Sequence, residues 1–177
     1  NPELPALAGS YVSDGWIIGV EVADNYAYVS DDENGIIIVD ITKKGSPVFT
    51  GAYHSYGYIH SVDVSGNYAY ALDELNGLVI FDISDPASPV IGGSYDSGGW
   101  GADIDVSGSY AYVADEWNGL TIFDISDSAS PEIAGSYYTG GWAEGIDVSG
   151  NYAYVADEWN GLVIFDISDP SSPVITG

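Results

Sequence analysis

A fixed period of 42 residues governs this chain. Trp16, Tyr58, Trp100 and Trp142 fall one period apart, as do Gly35, Gly77, Gly119 and Gly161, and Pro5, Pro47, Pro89, Pro131 and Pro173. No insertion breaks the register. Residues 85–126 and 127–168 agree at 32 of 42 positions. The 177 residues divide into units 1–42, 43–84, 85–126 and 127–168, with 169–177 beginning a fifth. Self-similarity at this spacing is the mark of a repeat architecture, in which each unit buries its apolar faces on its neighbours. The chain is therefore read as one repeat domain, 1–177.

Each unit contains short apolar runs separated by turn residues. In the last unit, Ala143–Val148 reads as a short strand and Ser149-Gly150-Asn151 as a turn. Tyr152–Ala156 follows, alternating large and small side chains. Asp157–Gly161 closes a hairpin, and its Asn-Gly pair suggests a type I′ turn. Leu162–Ile167 is β-branched and aromatic, as expected of a buried strand. A Pro/Ser connection leads to a fourth strand beginning at Pro173, whose counterpart in the preceding unit is Pro131–Tyr138. No window has the i, i+3, i+4 apolar spacing of a helix. Four strands in a unit of about 40–45 residues describe a β-propeller blade, whose two apolar faces are covered by the blades on either side. A β-solenoid is the runner-up, although its coils are usually shorter and lack so regular a hairpin.

The segments LVIFDIS, IIIVDIT and GNYAYVAD, with the tail DPSSPVITG, resemble the LVIVD-repeat β-propeller family over all four units. The resemblance implies an all-β propeller of four-stranded antiparallel blades, often part of a larger cell-surface or exported protein. It supplies no catalytic residues. The first unit departs most from the pattern, with Ser30-Asp-Asp-Glu-Asn-Gly35 and Lys43-Lys44.

In this reading the first strand of each unit lies nearest the axis. The sequence holds a fourth-type strand at Pro5–Tyr11 and another from Pro173. Three arrangements follow: a closed four-bladed ring, half of an eight-bladed ring shared by two chains, or a slice of a longer array.

Charge narrows the partners. Twenty-seven acids face two lysines, giving a net charge of −25. Phosphate recognition needs a basic footprint, so a nucleic-acid partner is not expected. Anionic membrane surfaces are disfavoured by the same sign. No run of about 18 apolar residues suggests membrane insertion. With no cysteine, disulfides and thiolate chemistry are absent. No basic stretch followed by an apolar one resembles a secretory leader, so any such signal has been removed or was never present.

Four sets of residues are candidates for function. Glu21, Asp63, Asp105 and Asp147 share one position on the innermost strand. As a ring of carboxylates they would suit a hard cation such as Ca²⁺, or each would bond backbone groups within its blade or a neighbouring loop. Trp16, Tyr58, Trp100 and Trp142 follow Gly-rich loops between blades and form an aromatic rim suited to a sugar or peptide, or pack between blades. Nearby positions vary between copies, which points to His60, Asp103 and Glu144 as selectivity residues of the same ligand site. Trp117 and Trp159 sit in hairpin turns that do not require them, so a contact with a neighbouring blade or another chain is expected.

Two other acidic sets read as structural. Asp31, Asp73, Asp115 and Asp157 precede the Asn-Gly turns as Asx residues. Asp40, Asp82, Asp124 and Asp166 interrupt an apolar strand and are expected to bond the following turn, because a buried unpaired carboxylate is costly. Only two histidines occur, and no nucleophile triad, phosphate loop or His-metal spacing appears. The expectation is a non-enzymatic extracellular or cell-surface propeller. It would associate with itself or with a surface protein or glycan, with divalent cations as candidate stabilisers.

Overall fold

A computed structural model describes residues 6–55 and 57–176. The chain forms four separate four-stranded antiparallel sheets in strict sequence order. Blade 1 comprises β1 (Ile17–Ala23), β2 (Tyr26–Asp31), β3 (Gly35–Asp40) and β4 (Val48–Tyr53). Blade 2 comprises β5 (Ile59–Ser65), β6 (Tyr68–Asp73), β7 (Gly77–Asp82) and β8 (Val90–Tyr95). Blade 3 comprises β9 (Asp103–Ser107), β10 (Tyr110–Ala114), β11 (Leu120–Asp124) and β12 (Glu132–Tyr137). Blade 4 comprises β13 (Ala143–Ser149), β14 (Tyr152–Asp157), β15 (Gly161–Asp166) and β16 (Val174–Ile175). Discrete sheets with consecutive strand order are propeller blades, not solenoid coils.

The two middle strands of each blade are apolar on both faces, and at the three junctions within the chain those faces meet a neighbouring blade. Tyr28, Ile36 and Ile38 of blade 1 share a core with Ile59, Val62, Val79 and Phe81 of blade 2. Tyr70, Leu72, Leu78 and Ile80 of blade 2 meet Ile104, Val113 and Phe123 of blade 3. Tyr112, Leu120 and Ile122 of blade 3 meet Ala143, Ile146, Val155 and Phe165 of blade 4. An aromatic pair marks each junction at its outer side. Tyr53 packs on Phe81, Tyr95 on Phe123 and Tyr137 on Phe165, with ring centroids 5.1, 5.7 and 5.2 Å apart.

The inner strands follow one another around an axis, β1 against β5, β5 against β9 and β9 against β13. Among the described residues, β13 makes no comparable packing with β1. The trailing face of blade 4 is accordingly open, as is the inner part of blade 1's leading face. The outer part of that face, formed by Val29, Ile37 and Val39, has Tyr11 packed against it. Tyr11 is the repeat equivalent of Tyr53, Tyr95 and Tyr137. The backbone agrees: a Cβ on Gly9 would strike the Lys44 carbonyl, as one on Gly51 would strike that of Pro86. Residues 9–11 therefore lie against blade 1 where a preceding blade's outer strand would lie. The expected strand from Pro5 starts outside the described residues, and its described part, residues 6–11, has no ladder partner.

One turn differs from expectation. Gly35, Gly77, Gly119 and Gly161 have φ between 70° and 80°, but the preceding asparagines do not have positive φ. A type I′ turn needs positive φ at both central residues. Asp31 pairs with Gly35 across three intervening residues, which is the longer hairpin loop with a left-handed glycine at its end.

Candidate functional site

The hairpin acid is the best-defined polar element. Asp73 Oδ1 accepts the Leu75 and Asn76 amides and Asn76 Nδ2, each at 2.9 Å, and Ser55 Oγ donates to its other oxygen. Asp31 is held in the same way by Glu33, Asn34 and Ser13, while Asp157 accepts the Trp159 and Asn160 donors on Oδ1 alone and its Oδ2 has no hydrogen-bond partner. Burial pushes the Asp31 and Asp157 carboxyls up, but these donors outweigh it and hold both below the ordinary value. The hydroxyls at 13, 55, 97 and 139 recur with the 42-residue period, a signal the sequence reading passed over. Gly57 and Gly141 lie so close that a Cβ would run into the Asp73 and Asp157 carboxylates.

The strand-end acids behave as expected. Asp40, Asp82, Asp124 and Asp166 each accept the amide two residues on, at 2.8–2.9 Å.

The innermost acids are used between blades. Asp63 accepts the Val64 amide of its own strand and the Val106 amide of blade 3, both at 2.6 Å. Asp105 accepts the Val148 amide of blade 4, also at 2.6 Å. Burial raises both carboxyls, and neighbouring acids add to the effect: Glu21 and Asp103 at Asp63, and Asp63, Asp147 and Asp103 at Asp105. Asp147, the next member of the series, is exposed. Among the described residues, no three acidic or histidine side chains gather closely enough to hold a metal ion. Asp63 and Asp105 turn toward the next blade's backbone, so the four do not form a ligand set.

Glu21, Asp63 and Asp105 line an axial cavity of about 550 Å³, together with His60, Asp103 and Glu144. Asp103 is committed within it. Ser61 Oγ donates to one oxygen at 2.9 Å, and the Ile146 amide donates to the other at 3.0 Å. It thus ties blade 3 to both neighbours, a role its sequence position did not reveal. His60 and Glu144 stay available at the cavity wall.

The aromatics stand apart from this cavity, at the end of the blades that carries the hairpins. Trp16, Tyr58 and Trp100 are 75%, 51% and 56% exposed. Trp142 is partly covered because Trp117 of the preceding blade packs on it at a tilt, with centroids 4.3 Å apart and ring planes 51° from parallel. Trp159 meets Trp117 edge-on at 6.1 Å and is otherwise open. His60, Asp103 and Glu144 therefore line the cavity with the acids, and none of the four rim aromatics is part of that lining.

The repeat pattern of the LVIVD family matches residues 14–55, 56–97, 98–139 and 140–177. The chain belongs to the LVIVD-repeat family. Each match frames one blade of the LVIVD repeat together with the rim aromatic before it, and Ser55 and Ser97, which cap the hairpin acids of blades 2 and 3, close the matches of blades 1 and 2. Among curated proteins none matches the chain. Solved structures show the same fold at low identity. The computationally designed Ika4 protein superposes with a TM-score of 0.71 at 9% identity, covering 90% of this chain and 96% of its own. The computationally designed Ika8 protein also gives 0.71, at 10% identity, with 89% of this chain matched to 48% of its own. The chain thus spans about half the length of Ika8.

Proposed function

We propose that this LVIVD-repeat chain is a non-enzymatic scaffold of the extracellular or cell-surface kind, which works by presenting a rigid acidic body to partners. One observation carries the reading. Three acids of the axial cavity, where a propeller offers its most enclosed chemistry, bond backbone amides of adjoining blades. Asp63, Asp103 and Asp105 act as cross-links, so their carboxylate oxygens are engaged by the backbone of the fold. The charge of −25 suits a soluble surface that attracts cations and repels acidic polymers.

Divalent cations stabilise such a body by screening its self-repulsion, not through a dedicated cage. Ca²⁺ is expected to raise the melting temperature, and EDTA to reverse the rise. An unchanged melting temperature at millimolar-scale Ca²⁺ would remove cations from the account.

A second reading has its own support. Trp16, Tyr58 and Trp100 stand exposed at one end of the blades, and aromatic faces there suit a sugar or an extended peptide. Glycan and peptide arrays test it. Binding that is lost in Trp100→Ala but kept in His60→Ala would place a ligand on the rim. The reverse pattern would place it in the axial cavity.

A further inference from the structure

We infer that the open face of blade 4 docks head-to-tail on blade 1 of a second copy of this chain, so that two copies close one ring of eight blades. The three junctions within the chain define what a fourth must contain, and every part of it is present and uncovered.

The apolar surface comes first. Leu162 occupies the repeat position of Ile36, Leu78 and Leu120, which are at most 1% exposed, yet Leu162 is 63% exposed. Tyr152 is exposed at the other end of the same face, and Tyr154 and Ile164 between them are only partly covered, whereas Tyr112 and Ile122 at the same positions are buried. The complementary surface is on blade 1. Ile17 and Val20 are 47% and 61% exposed, although their equivalents Ile59 and Val62 are buried against a preceding blade.

The polar link comes second. Asp63 and Asp105 each accept an amide from the next blade's inner strand, at Val106 and Val148. Asp147 continues that series, and the amide it requires belongs to the position of Val22. Among the described residues both are without this partner. Asp147 is exposed and Val22 is 54% exposed on β1.

The rim supplies a third match. Trp117 packs at a tilt on Trp142 across the junction between blades 3 and 4. Trp159 holds the place of Trp117, and Trp16 that of Trp142. They are 65% and 75% exposed. Packing of Trp159 on Trp16 of the second copy repeats the pair already seen.

The outer edge supplies a fourth. Residues 9–11 lie against blade 1 in an outer-strand position, with Tyr11 on Val39 as Tyr95 lies on Phe123. In blade 3, Leu120 pairs with Tyr137 and Thr121 with Ser136. The same register sets Leu162 and Val163 of a docking blade opposite Tyr11 and Ser10, beyond the two residues that β16 pairs with β15.

A partner able to fill blade 4 must present Trp16, Val20, Val22 and Tyr11 in these places, and a second copy does so. Head-to-tail contacts either close into a ring or run on as a filament. Two copies use all four open faces, which makes the two-copy ring the smallest closure formed between copies. The inference goes beyond the scaffold reading. Array binding tests that reading and mass tests this one, so either can fail alone.

Light scattering on the eluting chain gives the decisive mass. Twice the 18.6 kDa of one chain is expected, with the dimer strengthened by salt because both copies are strongly acidic. Leu162→Asp and Val20→Asp should each yield a monomer with unchanged far-ultraviolet circular dichroism, since both side chains face outward in one chain. Mixing the two variants should restore a pair, because one carries an intact leading face and the other an intact trailing face. A wild-type monomer at all concentrations, a ladder beyond two copies, or variants that fail to complement would each overturn the inference.

Discussion

Asp73 is buried, and its bonds connect three parts of one blade. Its carboxylate holds two amides of the turn, the Asn76 side chain and Ser55 from the preceding loop. Removing it leaves those donors facing a gap with no acceptor. Asp73→Ala is expected to cost about 2–3 kcal/mol, the range for a buried group that loses charge-assisted bonds, read as a drop in the urea midpoint. Asp115 differs at the same repeat position. Its Oδ1 has no partner, and its other oxygen takes only side-chain donors, from Thr121, Asn118 and Ser97. Burial dominates there and raises its carboxyl. Asp115→Asn should cost less than about 1 kcal/mol in the same assay, because it removes a poorly solvated charge and keeps an acceptor. Equal losses for the two substitutions would contradict this account.

At the scale of elements, residues 113–119 and 155–161 both read VADEWNG, and they fold differently. In the fourth copy Asp157 caps the turn through the Trp159 and Asn160 amides. In the third, Glu116 takes a φ of 36° and exchanges backbone bonds with Ala143 of blade 4. The difference lies across the junction, where Trp117 meets Trp142. Blade 1 has Glu33 opposite Tyr58, and blade 2 has Leu75 opposite Trp100, and both keep the capped turn. The contact of the two indoles coincides with the backbone bridge that holds the third hairpin against blade 4. Trp142→Tyr is therefore expected to return it to the capped form, and carboxyl NMR should show Asp115 titrating lower, toward the behaviour of Asp157. An unmoved Asp115 would separate the turn from the indole contact.

This contrast also shows what was legible in the sequence. The strands were, because their apolar runs and turn residues are local and repeated four times: the expected Tyr152–Ala156 and Leu162–Ile167 lie within a residue of β14 and β15. The hairpin geometry was not, because Asn-Gly fits more than one turn and a distant Trp selects between them. The use of Asp63 and Asp105 was half legible. Their common position was plain, but the amides they hold belong to another blade and lie 43 residues away. Whether the ring closes was not legible either, since identical repeats build rings of several sizes.

Across the whole molecule, two populations of carboxyls oppose each other. Asp31, Asp40, Asp82, Asp124, Asp157 and Asp166 are lowered in the fold, mainly by hydrogen bonds to turns. Each stabilises the fold above the ordinary value of 3.8 and ceases to do so as pH falls through its folded value. Asp63, Asp105, Asp115 and Glu116 are raised, chiefly by burial, with neighbouring negative charge adding at the axis and at Glu116. Their contribution has the opposite sign. It is complete below the unfolded value and is lost as pH rises through the folded one. On acidification from neutrality the raised set takes up protons in the fold before the unfolded chain does, so stability climbs first. Further acidification then protonates the lowered set, and stability falls. Urea midpoints should therefore peak between 3.8 and neutrality, and not on a plateau reaching pH 7. Added salt should flatten the alkaline side of the peak, because it screens the repulsion that accompanies a charge of −25. Asp63→Asn with Asp105→Asn should shift the peak toward neutral pH by removing two of the raised groups. A midpoint that falls steadily from pH 7 downward would mean that the hydrogen-bonded turn acids alone govern the response, and that the axial acids are paired well enough to carry their charge.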